Sequence, residues 1–384
     1  MRLISALVLL PFALLHAPVL AATTDPCANV RAFNALTLDC QGQCSSLSSS
    51  CVVYDHSGSS STPCDNNRSG TSSPMSRCVS PSSTTNPCLF QCFTAYAERS
   101  TFKFLVPFNV SRSAPLVGAE VDTTDAAPYE SNEFVRRIAP LALSSAVTKV
   151  IIAGGRDANS ATKGRVIDLD IDPDFLVQSP QVTGVALLNI NIGDRLSDVA
   201  SLFPENLEVL DLTNTRLSAA PPSLRRLVSL DKITLSNNYL TEWPATLELP
   251  KLKALNLQGN QLRVFNTSST TLTTLDLSAN NFTAIPPAVY NLSSLKVLKL
   301  KDNPIQRLRL SVDQHAFLRQ LEELEMDSTV FDATNCPQAS VQSLGDGQVF
   351  DTKTSKTSDS SEAEVTASFG LSSIVSLDCS RRSA

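Results

Sequence analysis

Histidine is scarce in this chain: the 384 residues include three, and only His56 and His315 follow residue 21. Histidine is the commonest general base and a frequent metal ligand, so its scarcity removes the simplest catalytic arrangements. The sequence also contains no glycine-rich phosphate loop, no nucleophile elbow and no histidine spacing typical of a metal site. We therefore expect no catalytic activity, no bound metal and no cofactor.

Long apolar runs are missing after the first residues. Arg2, the apolar residues 3–15 and the small residues around Ala21 predict a secretory signal peptide over residues 1–21. This run is shorter than the ~20 apolar residues that cross a bilayer, and no later run reaches that length. The C-terminus also lacks the hydrophobic tail of a GPI signal. We expect a secreted, extracellular protein with no membrane span in this chain.

A surplus of positive charge is also lacking. Lys and Arg number 31 against 37 Asp and Glu, which gives a formal net charge of −6. An acidic chain is not attracted to nucleic acid or to anionic membranes, so neither is an expected partner. With 42% hydrophobic and 18% charged residues, the composition is that of a folded protein.

Cysteine, in contrast, is plentiful: eight of the ten lie within residues 22–92, and the last two are Cys336 and Cys379. The spacers between the eight are rich in Ser, Thr, Pro and Asn and offer little to bury, so this segment needs cross-links of ~2–4 kcal/mol each. Two CxxxC spacings also resemble zinc ligands, but the export signal and the even count favour disulfides. The cysteines of this disulfide-rich module are Cys27, Cys40, Cys44, Cys51, Cys64, Cys78, Cys88 and Cys92.

A repeated pattern dominates the second half of the chain. One copy reads Leu252-x2-Leu255-x-Leu257-x2-Asn260-x-Leu262, and seven such copies start 20 to 26 residues apart. Repeats of this length form units that bury their apolar faces only by stacking on one another. The copies start at Val182, Leu207, Leu230, Leu252, Leu272, Leu295 and Leu321.

This pattern resembles the repeat of the extracellular leucine-rich-repeat family over roughly residues 147–331. The resemblance implies an α/β fold, a leucine-rich-repeat solenoid in which short parallel strands form a curved, horseshoe-shaped sheet, here preceded by the disulfide-rich module. The chain is also similar to the ectodomains of leucine-rich-repeat receptor-like proteins and receptor-like kinases.

The asparagine of each copy follows the strand, where the turning chain leaves backbone groups unpaired. A side-chain amide can satisfy several such groups from inside the protein. We therefore expect a buried ladder of Asn238, Asn260, Asn280 and Asn303.

Outside the clear copies the pattern is irregular. Residues 147–152 and 166–171 begin like repeats, but the second stretch starts 16 residues before Val182, too few for a full turn. Helical spacing of Phe134, Ile138 and Leu141 predicts a short helix within residues 130–143. We predict an N-terminal cap region over residues 93–181, about seven leucine-rich repeats over residues 182–331, and a C-terminal cap with a Ser- and Thr-rich tail over residues 332–384.

The polar positions between the repeat leucines face the concave side of such a sheet, where the family commonly binds its ligands. Seven strands at ~4.8 Å spacing and a width of ~17 Å give roughly 500 Å², less than the ~800 Å² per partner of a standard protein interface. The ligand is then a peptide or a glycan, or a protein that also touches a flank. The candidate contact residues are Asp211, Lys232, Thr234, Asn256, Asp276, Lys299, Lys301, Glu323 and Glu325.

The sequence thus predicts a secreted protein that binds a protein, peptide or glycan ligand in a recognition, inhibitor or decoy role. One alternative is the ectodomain of a receptor-like kinase without its membrane and kinase segments. Another is a structural extracellular glycoprotein. Glycosylation is expected at the sequons of Asn67, Asn109, Asn266, Asn281 and Asn291.

Overall fold

The computed structural model describes residues 33–44, 50–55, 76–79, 88–93, 100–106, 130–131, 135–154, 166–193, 198–305, 312–327, 341–343, 348–352 and 365–369. Several predicted features lie outside these residues: the signal peptide, Cys27, Cys64, Cys336, Cys379, Asn67 and Asn109. The side chain of Cys78 is also outside the description.

Nine strands precede the clear repeats: β1 (Ala35–Thr37), β2 (Cys51–Asp55), β3 (Ser76–Val79), β4 (Cys88–Phe93), β5 (Thr101–Val106), β6 (Glu130–Ser131), β7 (Arg137–Ile138), β8 (Lys149–Gly154) and β9 (Asp170–Ile171). The repeats contain β10 (Gly184–Leu188), β11 (Val209–Asp211), β12 (Lys232–Thr234), β13 (Glu242–Trp243), β14 (Ala254–Asn256), β15 (Val264–Phe265), β16 (Thr274–Asp276), β17 (Val297–Lys299) and β18 (Glu323–Glu325). Three further strands follow: β19 (Val341–Ser343), β20 (Gln348–Thr352) and β21 (Val365–Phe369).

Ten strands form one parallel sheet in the order β18-β17-β16-β14-β12-β11-β10-β8-β5-β6. The central apolar residue of each repeat strand pairs with its equivalent in the next repeat, as Leu255 does with Leu275 and Leu275 with Leu298. Because these residues share one face, their side chains stack into a continuous core on that side of the sheet. The predicted α/β solenoid with a parallel sheet is therefore confirmed.

The chain returns between repeat strands on the other side of this core. Short 3-10 turns at Val199–Leu202, Pro222–Arg226 and Pro287–Asn291 make part of this return, and β13 pairs with β15 in a small parallel sheet. The helix α1 (Val312–Arg319) lies between β17 and β18. Within the described part of the chain, no helix has the length and apolar character needed to cross a membrane.

The cysteine-rich segment packs directly against the solenoid. Its strands belong to a six-stranded sheet, β3-β4-β2-β1-β7-β9, in which β1 pairs in parallel with β7. Leu36, Val52 and Tyr54 are buried in the same hydrophobic core as the repeat leucines. This segment therefore covers the first strands of the solenoid, which would otherwise expose apolar surface.

Two disulfides cross-link the segment, Cys40–Cys51 and Cys44–Cys92, and Cys88 is disulfide-bonded as well. A tight turn makes the first two bridges possible, because Gln41 and Gly42 both adopt left-handed backbone conformations between Cys40 and Cys44. The disulfide-rich N-terminal part of the predicted fold is confirmed for these residues.

The described parts of the irregular region between the cysteine-rich segment and the repeats belong to two different sheets. Residues 149–154 form β8, which joins the large parallel sheet beside β10, whereas β9 joins the six-stranded sheet. The predicted helix within residues 130–143 is wrong. Among the described residues there, 137–138 form β7, which pairs with β1 on one side and β9 on the other.

Candidate functional site

The four ladder asparagines are buried and bond to backbone groups of two consecutive repeats. Asn260 Oδ1 accepts a hydrogen bond from Leu240 N at 3.0 Å, and its Nδ2 donates to Leu235 O and Leu257 O, both at 2.9 Å. Asn238, Asn280 and Asn303 make equivalent bonds. Each side chain thus pairs polar groups that would otherwise be buried without partners, and it links one repeat to the preceding one.

The residue before each ladder asparagine turns the chain off the strand with a positive φ. Asn237, Gly259, Ala279 and Asp302 all adopt this left-handed conformation. At Gly259 a Cβ atom would also overlap Asn237 Oδ1, so a larger residue there would require the Asn237 side chain to move. The ladder and this turn together fix the direction in which the preceding strand presents its side chains.

The concave face of the sheet is closed at its N-terminal end. Leu105, Ile151, Ala153, Ala186 and Leu188 point away from the main core and form a second, separate cluster of buried apolar residues. The closure extends to the next two strands, where the candidate contact residues Asp211 and Thr234 are 1% and 2% exposed. These residues offer little surface to a ligand.

Asp211 is engaged within the protein. One of its carboxylate oxygens accepts hydrogen bonds from Thr213 N at 3.0 Å and Thr213 Oγ1 at 2.6 Å. Asp276 has the corresponding position three strands further along, where it accepts a bond from Ser278 N at 2.9 Å. Burial raises the pKa of Asp276 above its ordinary value, although the face is more open here.

The open part of the concave face begins at Lys232, because Thr234 of the same strand is still buried. Lys232, Asn256, Asp276, Lys299 and Glu325 are partly exposed, whereas Lys301 and Glu323 are exposed. The structure thus brings seven of the nine candidate contact residues onto one accessible strip. Gln258, which the same alternation places beside the central row, is another exposed residue of this strip.

Acidic residues of the last repeat pair with two lysines of the repeat before it, Lys296 and Lys299. Lys299 Nζ lies 2.8 Å from Glu323 Oε1 and 2.9 Å from Glu325 Oε1. Beside them Lys296 Nζ lies 2.6 Å from Glu322 Oε1. The hydrogen bond from Lys299 lowers the pKa of Glu323, and its two carboxylate partners raise the pKa of Lys299. Lys299 therefore has two partners within the chain before any ligand arrives.

The three described sequon asparagines, Asn266, Asn281 and Asn291, are all exposed. Asn281 directly follows the buried ladder residue Asn280, and its side chain points to the opposite environment.

Comparison with known proteins agrees with this geometry. The family model described as leucine rich repeat matches residues 196–266 and 270–331. Receptor-like protein 7 of Arabidopsis thaliana is 31% identical over 171 residues, which cover 37% of this chain and 17% of that protein. Podocan of Mus musculus is 32% identical over 176 residues, 44% of this chain and 28% of podocan. The chain therefore spans less than a third of the length of either relative.

Among solved structures, InlP of Listeria monocytogenes is 20% identical with a TM-score of 0.41, and the match covers 52% of each chain. A leucine-rich-repeat protein of Leptospira interrogans is 24% identical with a TM-score of 0.35, covering 46% of this chain and 42% of that one. The matched repeats, the parallel sheet and the asparagine ladder lead to one conclusion: this chain contains a leucine-rich-repeat solenoid, and its repeats resemble those of receptor-like proteins.

Proposed function

We propose that this chain is a secreted recognition protein that binds a protein or peptide ligand on the open strip of its concave face. The observation that carries the proposal is the change in that face along the sheet. Its residues are apolar and buried at β8 and β10, and Asp211 and Thr234 are still buried. From β14 to β18, and at Lys232 of β12, the face is polar and accessible, while the opposite face stays apolar throughout. The proposed role is binding without catalysis.

Secretion is part of the proposal and is supported by the leader predicted over residues 1–21 and by the disulfides, which form in oxidising compartments. Glycosylation of the exposed sequon residues Asn266, Asn281 and Asn291 belongs to the same proposal. The likeness to Receptor-like protein 7 supports a second candidate, in which the same binding face belongs to the ectodomain of a receptor.

The chemistry of the open strip favours polypeptide over carbohydrate. Its accessible side chains are amides, carboxylates and ammonium groups, and no aromatic ring stands among the candidate contact residues to stack on a sugar. Groups of this kind pair with the backbone and side chains of a peptide, and complementary charges fix its register more than they raise its affinity.

The test uses the full secreted chain and a phage-displayed library of random dodecapeptides as the probe. Gln258→Arg and Lys301→Glu change two exposed side chains of the strip, and Arg225→Glu is the matched control in a 3-10 turn off the sheet. We expect the strip variants to weaken binding of the enriched peptides about tenfold, an energy of about 1.4 kcal/mol, and the control to leave it unchanged. Equal loss in the control, or no loss in the strip variants, would contradict the proposal.

A further inference from the structure

A groove of about 640 Å³ runs along the edge of the sheet at which the repeat strands begin. Its inner row consists of the residues immediately before β11, β12, β14 and β16, and its outer row lies two residues earlier in each repeat. The inner row is Glu208, Asp231, Lys253 and Thr273. The outer row is Ser229, Lys251, Thr271 and Ser294, with Pro250 beside it.

The groove is elongated along the stack of repeats. Its lining comes from five consecutive repeats, and at ~4.8 Å per strand the four intervals give a length of about 19 Å. An extended peptide advances ~3.3 Å per residue, so about six residues fill this length. The shape therefore fits one extended segment of polypeptide.

The charges of the groove are arranged in order along it. Glu208 and Asp231 lie in the first two repeats, whereas Lys251 and Lys253 lie in the third. Lys253 Nζ is 2.9 Å from Asp231 Oδ1, so these two charges offset each other. Glu208 and Lys251 are both exposed and lie two repeats apart, which is about 10 Å.

The remaining lining presents hydroxyl groups. Thr271 Oγ1 donates to Leu252 O at 2.7 Å, and Thr273 Oγ1 donates to Lys253 O at 3.1 Å. Thr271 Oγ1 also lies 3.1 Å from Ser269 Oγ and accepts its hydrogen bond. Thr273 Oγ1, which donates inward, can accept a hydrogen bond from a bound backbone N–H. No aromatic side chain is among the residues that line the groove.

The open strip of the concave face is too small to hold a protein partner alone. Five strands at ~4.8 Å spacing and a width of ~17 Å give about 400 Å², half of the ~800 Å² per partner of a standard interface. The groove adjoins this strip, because its inner-row residues Asp231 and Thr273 directly precede the strip residues Lys232 and Thr274. The strip and the groove together come closer to the area of a standard protein interface than the strip does alone.

We propose that the groove is the second part of the ligand-binding surface and that it holds an extended segment of a protein partner. That segment carries a basic side chain against Glu208 and an acidic side chain against Lys251, about three residues apart at ~3.3 Å per residue. The inference rests on the proposed function and names the partner as a protein. A free polyanion fits the groove less well than such a segment, because Glu208 repels it and the paired charges of Asp231 and Lys253 offset each other.

The test again selects random dodecapeptides on the full secreted chain, now with groove variants. Lys251→Glu reverses one charge and Ser229→Trp fills the groove. Arg263→Glu and Ser218→Trp are matched controls at exposed positions on the returning chain after β14 and β11. We expect enriched peptides to carry opposite charges, and the two groove variants to weaken their binding about tenfold while the controls do not. Peptides whose acidic residue is replaced by lysine should bind Lys251→Glu better than they bind the wild type.

The outcomes separate this inference from the proposed function. If Gln258→Arg and Lys301→Glu weaken binding but the groove variants do not, the concave strip binds alone and the groove inference is wrong. If only the groove variants weaken binding, the groove inference stands and the proposed site on the strip fails. Displacement of the peptides by neutral oligosaccharides, or failure of the lysine-substituted peptides to recover binding, also overturns the inference. Circular dichroism and melting of every variant show whether it is folded.

Discussion

The two ends of the parallel sheet solve the same packing problem in different ways. In β8 the consecutive residues Val150, Ile151, Ile152 and Ala153 are all buried, so the strand is covered on both faces. In β16 only the central Leu275 is buried, and its neighbours on the strand are partly exposed. A parallel strand buried on both faces has a continuous apolar sequence, whereas one with a solvated face alternates.

The asparagine ladder lies at the open end of the sheet. Strands β12, β14, β16 and β17 are each followed by a buried asparagine that bonds to the preceding repeat, as Asn280 does. At the closed end the equivalent position after β10 is Ile190, which is buried but has no side-chain polar group. Closed strands are thus held by apolar burial on two faces, and open strands by burial on one face together with a polar ladder. The second arrangement leaves a face available for a ligand.

The cysteine-rich segment explains why the closed end needs no ladder. Phe93 of this segment packs edge-to-face against Phe104 of β5, with ring centroids 5.5 Å apart. Aromatic pairs of this kind add about 0.5–1.5 kcal/mol beyond the area that they bury. The disulfides cross-link the segment internally, and its buried side chains share one core with the first strands, so the N-terminal end of the solenoid is covered.

The largest expected effect on stability comes from substituting residues of one row of the sheet at its closed end and at its open end. Ile151 and Lys299 occupy the same row across the sheet, but Ile151 is 1% exposed whereas Lys299 is partly exposed. We expect Ile151→Ala to lower the free energy of unfolding by about 2–5 kcal/mol through loss of buried contacts and formation of a cavity. Lys299→Ala should cost less than about 1 kcal/mol because exposed ion pairs contribute little. Urea denaturation measures both, and equal losses would abolish the distinction between the two ends.

The next effect tests the ladder with two neighbouring asparagines. Asn280→Ala removes the partners of Leu262 N, Leu257 O and Leu277 O, so we expect a loss of about 1–3 kcal/mol. Asn281→Ala changes an exposed side chain and should alter stability by less than about 0.5 kcal/mol. Both are compared with the wild type by thermal melting after enzymatic removal of any N-glycans. A larger effect at Asn281 would show that the repeat register is wrong.

The repeats were predictable because their signal is local. Leucines at fixed spacing, followed by asparagine, show within a few residues which face is buried and where the strand ends. The helix predicted within residues 130–143 failed because the spacing of a few apolar residues does not decide between a helix and a short strand. Strand β7 forms through pairing with β1 and β9, about 100 and 30 residues away along the chain, and a local pattern does not contain that information.

The candidate site was predictable in position but not in accessibility. Alternation showed that Asp211 and Lys299 lie in the concave row, and the sheet places them there. The burial of Asp211 depends on how neighbouring parts of the chain cover the first strands. The pairing of Lys299 with Glu323 and Glu325 depends on stacking of repeats separated by a long return that includes α1. Both are consequences of three-dimensional packing.

The smallest expected effect is a pH dependence at the open end. Lys299 lowers the pKa of Glu323, so Glu323 stabilises the fold above its ordinary pKa of about 4.3, and this contribution is lost as the pH falls through the lowered value. Asp276 acts in the opposite sense, because burial raises its pKa and acidification removes the cost of its charge. Lys299 stays protonated throughout, since its own pKa is raised.

Comparison of the wild type with Lys299→Met isolates the paired carboxylates. At pH 7 the wild type should be the more stable of the two by less than about 1 kcal/mol, and this difference should disappear as the pH falls from about 5 to 3. Salt at about 1 M should reduce the difference at pH 7 in the same way, because it screens exposed charges. Ile151→Ala is the control, since no ionisable group is removed and its loss of stability should stay nearly constant over this range. A difference between wild type and Lys299→Met that persists at pH 3 would mean that the alkyl chain of Lys299, and not its charge, holds the last repeat.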